Sequence, residues 1–338
     1  MSKTTFGSRW EIIKPISEGG QAYIYEVKDL KIQDENTYVL KRLKNAKRKE
    51  RFEKEIEALR SIESPYIEKV IDFNISNGKD FYYVMPYYTK KTLESILNSL
   101  SGDYIRSFKI FIKICKGVQH AHTNKIPIIH RDLKPSNILI NENDEPRIID
   151  FGLCYLDDKE RNTFSQEQVG SKFYIPPECE IGRSEDIGCH TDIYSLGKIL
   201  YAMISGGRMF PRERQNEDEF NLRKILADKR FKYVMQIINS CIKEKIVERF
   251  KNISNLLLIV EENLRLIEDG FFPVNYDDEF CRFCGKGILR ELGQLKGAIL
   301  KRGSITEDIA PYKMKLWECS YCGNTYLFRD VIYNEHKD

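Results

Sequence analysis

Apolar and polar residues are distributed along the first 88 residues in a way that predicts β-strands. Four segments are rich in Ile, Val and Tyr, and turn residues such as Gly, Asn and Asp separate them. These segments are residues 10–17, 22–30, 37–43 and 67–88. One helix interrupts them, because Phe52, Ile56 and Leu59 recur at the spacing that places apolar side chains on one helical face.

After residue 88 the apolar spacing becomes mostly helical, with short strands predicted only at "NILI" and "PRIID". The helical patterns run through residues 104–122, 191–205, 231–243 and 253–267. The stretch "EDGFFPVNYDDEF" ends the last helix with Pro and Asp residues. The pattern therefore predicts an α+β protein with a small β-rich lobe, a larger α-rich lobe and a compact C-terminal module. The predicted boundaries are 10–85, 86–269 and 276–338.

Composition narrows the class of protein. A chain of 338 residues with 41% hydrophobic and 31% charged residues is typical of a soluble globular protein of two or three domains. The net charge of +3 is the small difference between 54 basic and 51 acidic residues, so it favours no charged partner. No apolar run approaches the roughly 18 residues that span a bilayer, and the first residues lack the apolar core of a signal peptide. A cytosolic location is therefore expected.

The most informative stretch is "IIHRDLKPSNILI", residues 128–140, in which Asp132 is followed by Lys134 and Asn137. A second strand then ends in "RIIDFG", which contains Asp150. This ordered set resembles the catalytic and metal-binding loops of the eukaryotic-type (Hanks-type) serine/threonine protein kinases. The resemblance covers roughly residues 10–268 and implies the bilobal protein kinase fold.

The resemblance implies a role for each of these residues in phosphoryl transfer from ATP. Transfer of a γ-phosphoryl group requires alignment and charge neutralisation more than covalent chemistry. Asp132 would orient the hydroxyl of a protein substrate and accept its proton, and Lys134 would lie beside the γ-phosphate. Asn137 and Asp150 are short oxygen donors that suit Mg²⁺, or Mn²⁺ in its place.

Two residues of the first lobe complete the catalytic set. Lys41 ends the strand "YVLK", from which it would reach the α- and β-phosphates. Glu55 lies on the apolar side of the predicted helix, where a carboxylate without a partner is costly. The resemblance implies that Glu55 pairs with Lys41. Each residue alone would be an ordinary surface residue, but an ordered set of six at family spacings indicates a kinase.

The adenine pocket is likewise implied by the resemblance. Met85 would be the gatekeeper, and the backbone of residues 86–88 would bind the edge of the base. Pro86 has no N–H, but the position resembles one that contributes a carbonyl. Val39 and Leu139 are equally consistent with a plain apolar core. The side chains implied to surround the base are Ile16, Ile24, Val39, Met85 and Leu139, and Tyr88 would contribute through its backbone.

The segment "ISEGGQAYIYEV", residues 16–27, resembles the glycine-rich loop that covers phosphates in kinases. Ser17 and Ala22 occupy two of the glycine positions, and only Gly19 is retained. We expect a phosphate-covering hairpin that grips ATP less closely. The altered loop also supports an alternative, a pseudokinase that senses nucleotide and acts as a scaffold.

The segment "GSKFYIPPE", residues 170–178, resembles the end of an activation segment. The resemblance implies that Glu178 forms an ion pair with Arg249 and that Asp192 braces the catalytic loop. Lys134, together with Ser171, resembles serine/threonine rather than tyrosine kinases.

Two hypotheses about regulation by phosphorylation of the activation loop are open. Arg131 resembles the arginine on which a phosphorylated activation loop docks, and Thr163 and Ser165 are the candidate sites. The alternative is a solvated polar loop without regulatory phosphate. Cys154 is either a packing residue or redox-sensitive, and His120 and His122 are interpreted as packing or surface residues.

Four of the nine cysteines form two C-x-x-C pairs, each followed by Gly. This spacing predicts a closed, structural Zn²⁺ site and resembles a zinc ribbon, with room for a β-hairpin between the pairs. The alternative is a redox role for either pair. The module is expected to dock the kinase or recruit substrate, while a nucleic-acid-binding role has support only from a modest basic stretch. The predicted zinc ligands are Cys281, Cys284, Cys319 and Cys322.

Overall fold

The structure is a computed structural model that describes most of the two predicted lobes and the strands near the C-terminus. The described residues are 5–18, 22–32, 36–76, 80–151, 173–179, 186–226, 228–269, 289–296, 300–302, 305–307, 313–319 and 325–329. Within these ranges, no helix combines the length and the apolar character that a membrane crossing requires.

The first lobe is built on a six-stranded antiparallel sheet in the order β1-β2-β3-β4-β6-β5. The predicted strands at 10–17, 22–30 and 37–43 are confirmed to within one residue at each end, and the segment 67–88 contains two separate strands. The strands are β1 (Thr5–Phe6), β2 (Trp10–Glu18), β3 (Ala22–Asp29), β4 (Tyr38–Leu43), β5 (Asp72–Asn74) and β6 (Tyr82–Pro86).

Helix α1 (Lys49–Ser61) follows β4 and packs on this sheet. The predicted apolar face is confirmed, since Phe52, Ile56 and Leu59 are all buried. Glu55 lies on the same face and is only 4% exposed. The helix therefore carries one carboxylate into the interior of the lobe, which sets up the site described below.

The second lobe is mostly helical, and the four long helices begin and end within two residues of their predicted bounds. The helices are α2 (Leu93–Ile96), α3 (Tyr104–His122), α4 (Cys189–Ser205), α5 (Leu222–Leu226), α6 (Phe231–Cys241) and α7 (Ile253–Glu268). The short 3-10 turns of both lobes are Ala46–Arg48, Leu97–Leu100, Pro135–Asn137, Pro177–Cys179 and Ile246–Glu248. The predicted short strands are β7 (Ile138–Ile140) and β8 (Pro146–Ile148), which pair with each other.

Local side-chain chemistry explains where the long helices begin. Asp103 caps α3 by accepting a hydrogen bond from the backbone N–H of Arg106 at 3.1 Å, and Asn252 caps α7 in the same way. Helix α4 forms the centre of the lobe, and Gly197 permits its close approach to α6. A Cβ atom at that position would lie 2.5 Å from the Cβ of Cys241.

The scattered cysteines only partly fit the packing interpretation. Cys115 and Cys241 are fully buried, which confirms it for them, whereas Cys179 and Cys189 are partly exposed. Cys154 lies outside the described residues.

The C-terminal strands form a three-stranded antiparallel sheet in the order β13-β12-β9 and a separate β10-β11 hairpin. The hairpin falls between the two cysteine pairs in the sequence. Of the predicted zinc ligands, Cys281, Cys284 and Cys322 lie outside the described residues, and Cys319 is the last residue of β12. The strands are β9 (Leu289–Lys296), β10 (Leu300–Arg302), β11 (Ile305–Glu307), β12 (Lys313–Cys319) and β13 (Thr325–Arg329).

Candidate active site

Three elements bring Lys41, Glu55 and Asp150 together. Lys41 lies on β4, Glu55 on α1, and Asp150 two residues after β8. The Nζ atom of Lys41 donates to Glu55 Oε1 at 2.6 Å and to Asp150 Oδ1 at 3.1 Å. One ammonium group therefore connects the sheet and helix of the first lobe to the second lobe.

In this group several carboxylates surround a single ammonium group. Burial disfavours the ammonium of Lys41, but the carboxylates of Asp150, Glu55 and Glu68 together outweigh burial and raise its pKa. The charge on Lys41 in turn holds the pKa of Asp150 below its usual range. The side chain of Asp150 is 49% exposed, whereas that of Glu55 is 5% exposed. Asp150 is thus the ionised carboxylate that remains open to a ligand.

The catalytic loop forms a second group around Asp132. The Nζ atom of Lys134 donates to Asp132 Oδ2 at 2.9 Å. The amide nitrogen of Asn137 donates to the same oxygen at 3.1 Å and to the backbone carbonyl of Asp132 at 2.9 Å. The 3-10 turn Pro135–Asn137 makes this return contact possible. Two donors therefore fix the orientation of the Asp132 carboxylate.

Asp192, near the start of α4, braces the catalytic loop from below, as the sequence predicts. Its carboxylate accepts from the backbone N–H groups of His130 and Arg131, both at 2.9 Å. It also bonds His122 Nε2 at 2.8 Å. Arg131 has a left-handed backbone with φ of +67°, an uncommon conformation for a long side chain, so these bonds hold a strained turn in place.

The interpretation of His122 as a packing or surface residue is incomplete, because its ring makes the polar contact to Asp192. Burial opposes protonation of the ring, but Asp192 and, after it, Cys189 outweigh burial and raise the pKa of His122 to about 9. His122 is therefore charged at neutral pH. His120 lies on the other side of α3 and bonds the Ser64 hydroxyl at 2.8 Å.

The predicted ion pair between Glu178 and Arg249 is confirmed. Two nitrogens of the guanidinium contact the two carboxylate oxygens at 2.6 and 2.9 Å, and both side chains are buried. Thr191 adds a third donor at 3.1 Å. Burial would raise the pKa of Glu178, but Arg249 outweighs burial and lowers it. This pair anchors residues 173–179 to the helical lobe.

The residues implied to contact adenine lie on both lobes. Strand pairing places Val39 on β4 opposite Met85 on β6, and Leu139 lies on β7 of the second lobe. Val39 is buried, and the other two are half-buried.

The linker between the lobes has one N–H already occupied. Tyr87 N–H donates to the carbonyl of Thr37 at 3.1 Å, so this N–H is not available to the edge of a base. The guanidinium of Arg147 lies 3.8 Å from the centre of the Tyr88 ring, which fixes that ring by a cation–π contact.

The predicted phosphate-covering loop is described only at its two sides. Ile16 and Ile24 are half-buried on β2 and β3, Ser17 is exposed, and Ala22 is buried. Gly19 lies outside the described residues. So do three activation-segment positions singled out from the sequence, namely Thr163, Ser165 and Ser171.

Comparison with known proteins settles which family this arrangement belongs to. The protein kinase domain family matches residues 10–269, which is more than three-quarters of the chain. The chain belongs to the protein kinase family. A kinase domain of Mycobacterium tuberculosis, that of PknI, shares the bilobal fold with a TM-score of 0.59 at 16% identity. That match covers 78% of this chain and 99% of the PknI domain.

Curated relatives of this chain include proteins from two bacteria. A probable serine/threonine-protein kinase of Clostridium perfringens is 34% identical over 59% of this chain and 29% of the relative. The serine/threonine-protein kinase PrkC of Bacillus subtilis is 30% identical over 61% of this chain and 32% of PrkC. The matched region is therefore about a third of the length of these relatives.

The kinase site fits the metal that the family implies. The half-exposed carboxylate of Asp150 and the amide oxygen of Asn137 are hard oxygen donors, which Mg²⁺ prefers. The amide nitrogen of Asn137 already donates to Asp132, which leaves its Oδ1 atom as the ligand. Among the described residues there is no cluster of three or more His, Cys, Asp or Glu side chains that would hold a metal without a nucleotide.

Sequence reasoning missed two residues of this kinase site, Tyr83 and Glu68. The Tyr83 hydroxyl lies 3.1 Å from Glu55 Oε1 and 3.5 Å from Glu68 Oε1. Glu68 Oε1 also accepts from the backbone N–H of Asp150 at 2.9 Å. Burial raises the pKa of Glu68 to about 7. The available signal was a lone acidic residue within the apolar run "YIEKVI", where a carboxylate needs a partner.

Proposed function

We propose that this chain is an ATP-dependent serine/threonine protein kinase that phosphorylates hydroxyl groups of proteins. The observation that carries the proposal is the presence of two side-chain groups: Lys41–Glu55–Asp150, which connects the two lobes, and Asp132–Lys134–Asn137 in the second lobe. The names of the curated relatives support the same class of acceptor.

The geometry supports a division of labour between the two groups. Lys41, held by Glu55, presents a fixed positive charge to the α- and β-phosphates of ATP. The Asp132 carboxylate, held by Lys134 and Asn137, orients the acceptor hydroxyl and takes its proton. Lys134 stabilises the charge that develops on the transferred group. Bound Mg²⁺, held by Asp150 and Asn137, would supply the remaining neutralisation of phosphate charge.

A transfer assay tests the proposal. Wild-type protein and Asp132→Ala are incubated with radiolabelled ATP, Mg²⁺ and a generic protein acceptor, and labelled residues are identified by phosphoamino-acid analysis. We expect label on Ser and Thr from wild type and almost none from the variant. Equal labelling by both proteins would refute the assignment. Nucleotide binding without transfer would instead support the pseudokinase alternative, for which the altered glycine loop at Ser17 and Ala22 is the specific observation.

We also propose that the two cysteine pairs bind one structural Zn²⁺ ion and that the module they form docks the kinase on protein substrates. Strand pairing supports the site, because Cys319 at the end of β12 lies opposite Leu289 at the start of β9. Cys284 precedes Leu289 by five residues, and Cys322 lies in the connection from β12 to β13. Along the chain, each pair therefore adjoins one of two strand ends that are paired with each other.

Metal analysis tests the zinc site directly. Elemental analysis of the purified chain should give one zinc per chain, and Cys281→Ser with Cys284→Ser should lose it. Cys154→Ser is the matched control and should retain the metal. Full zinc content in the double variant would refute the site. Salt-sensitive binding of single-stranded DNA or RNA by the full chain would favour a nucleic-acid partner over docking on proteins.

A further inference from the structure

Glu68 is a buried acid that the proposed mechanism does not use. Its residue is 3% exposed, and among the described residues its Oε2 atom has no hydrogen-bond partner. An ionisable group in such a place does not maximise stability, since an apolar side chain of similar size would avoid the cost of burial. Its contacts therefore indicate what it does.

The backbone of Glu68 is fixed against the strand that leads to Asp150. Ile67 forms a parallel bridge with Ile148 on β8, and Glu68 N–H donates to the carbonyl of Ile148 at 3.0 Å. The N–H of Ile148 donates back to Tyr66 at 2.8 Å. The backbone of Glu68 is thus held beside the end of β8. This strand ends at Ile148, two residues before Asp150.

The side chain of Glu68 then contacts the backbone of Asp150 itself. Its Oε1 atom accepts from the Asp150 N–H at 2.9 Å. Asp150 has a φ of +67°, a left-handed conformation that is uncommon for residues other than glycine. A bond from a rigid neighbour is well placed to hold this turn, and the turn sets the direction of the Asp150 carboxylate.

Tyr83 connects this clamp to the lysine pair. Its hydroxyl lies between Glu68 and Glu55, at 3.5 and 3.1 Å, and Glu55 binds Lys41. The contacts therefore run without a break from Asp150 through Glu68 and Tyr83 to the Lys41–Glu55 pair. All of these residues except Asp150 are buried or nearly so.

We propose that Glu68 is a positioning residue, which holds the backbone turn at Asp150 so that its carboxylate is oriented for the metal–nucleotide complex. The role rests on the proposed kinase function, because it acts through a residue of that site. It requires an acceptor oxygen at the length of a glutamate side chain, and it does not require the negative charge.

The test separates acceptor position from charge with three variants. Glu68→Gln keeps the acceptor without the charge, Glu68→Asp keeps the charge but withdraws the oxygen by one methylene, and Glu68→Leu removes both. The readout is the affinity for Mn²⁺ in the presence of a non-hydrolysable ATP analogue, measured by electron paramagnetic resonance. The exposed Glu63→Gln is the matched control.

We expect Glu68→Leu to weaken Mn²⁺ binding about tenfold, since it leaves the Asp150 N–H without the acceptor that holds the turn. Glu68→Asp should show a similar loss, whereas Glu68→Gln and Glu63→Gln should bind within about twofold of wild type. Thermal unfolding of each variant is measured in parallel. If Glu68→Leu does not fold, the comparison of Gln with Asp decides.

Two results would overturn the proposal. One is equal Mn²⁺ affinity for Glu68→Leu and wild type, which would make Glu68 a tolerated buried acid. The other is wild-type affinity in Glu68→Asp with a loss in Glu68→Gln, which would assign the effect to charge. If wild type binds Mn²⁺ and nucleotide but transfers no phosphate, the proposed function fails while this comparison still decides the role of Glu68.

Discussion

Two ion pairs of this protein have the same N–O distance but differ in the balance of charge around them. Glu55–Lys41 and Glu178–Arg249 each join distant segments through contacts of 2.6 Å. At Glu178 the partners are in balance, because two guanidinium nitrogens and Thr191 satisfy one carboxylate. At Lys41, three carboxylates surround one ammonium, and one of them, Asp150, is half exposed.

The difference between the two pairs indicates that an excess of carboxylates over cations is typical of a binding site. A balanced, fully enclosed pair has nothing left to bind, so its effect is confined to holding the chain in place. A group with surplus carboxylate is incomplete until further positive charge arrives, as it does with a metal–nucleotide complex. We therefore expect changes in the two side-chain groups around Lys41 and Asp132 to lower activity and changes at Glu178–Arg249 to lower stability.

The largest expected effect is on catalysis. Asp132→Asn removes the proton acceptor while preserving size, and we expect kcat to fall by about 10³-fold, within the usual range for a general base. The unfolding free energy should change little, because Lys134 and Asn137 still have an oxygen to contact. Steady-state kinetics and thermal unfolding are measured on the same samples. A variant with both normal kcat and reduced stability would invert the comparison.

The next effect is on stability. Arg249→Met leaves Glu178 buried without its cation, and we expect a loss of about 3–5 kcal/mol in the free energy of unfolding. Urea denaturation gives this value. The control is Arg265→Met, since Arg265 is 60% exposed in its pair with Glu262 and should leave stability unchanged within error. Equal curves for the two variants would show that burial of the pair is not what matters.

A third effect depends on pH and concerns the brace below the catalytic loop. The pKa of His122 rises from an ordinary 6.5 to about 9 on folding. The stabilisation is therefore fully present below pH 6.5 and is lost as pH rises through about 9. The difference in unfolding free energy between wild type and His122→Gln should be on the order of 3 kcal/mol at pH 6 and should shrink towards pH 9.5.

The control for this prediction is His120→Gln, since the His120 ring bonds the Ser64 hydroxyl at 2.8 Å. This variant controls for the loss of an imidazole elsewhere on α3. A difference between wild type and His122→Gln that stays constant from pH 6 to 9.5 would contradict a charged His122–Asp192 pair.

The sequence predicts those features of the fold and the site that depend on residues close together in the chain. The helices follow from local spacing, and Lys41, Asp132 and Asp150 follow from motifs that each lie within a few residues. Glu68 and Tyr83 were missed because their partners are remote: 82 residues separate Glu68 from Asp150, and 28 separate Tyr83 from Glu55. Such contacts depend on the tertiary structure. The spacing of apolar residues predicts local helices and strands but does not predict contacts between remote residues.

The smallest effect tests the link between the two carboxylates behind Lys41. Tyr83→Phe removes a hydroxyl that lies 3.1 Å from Glu55 and 3.5 Å from Glu68. A single hydrogen bond contributes roughly 1 kcal/mol, so we expect kcat/KM for ATP to fall by about fivefold through a less firmly held Glu55. Tyr82→Phe is the matched control, because Tyr82 is the neighbouring tyrosine of β6 and its ring packs beside Phe6. Unchanged kinetics in Tyr83→Phe, or equal losses in both variants, would show that the position of Glu55 does not depend on the Tyr83 hydroxyl.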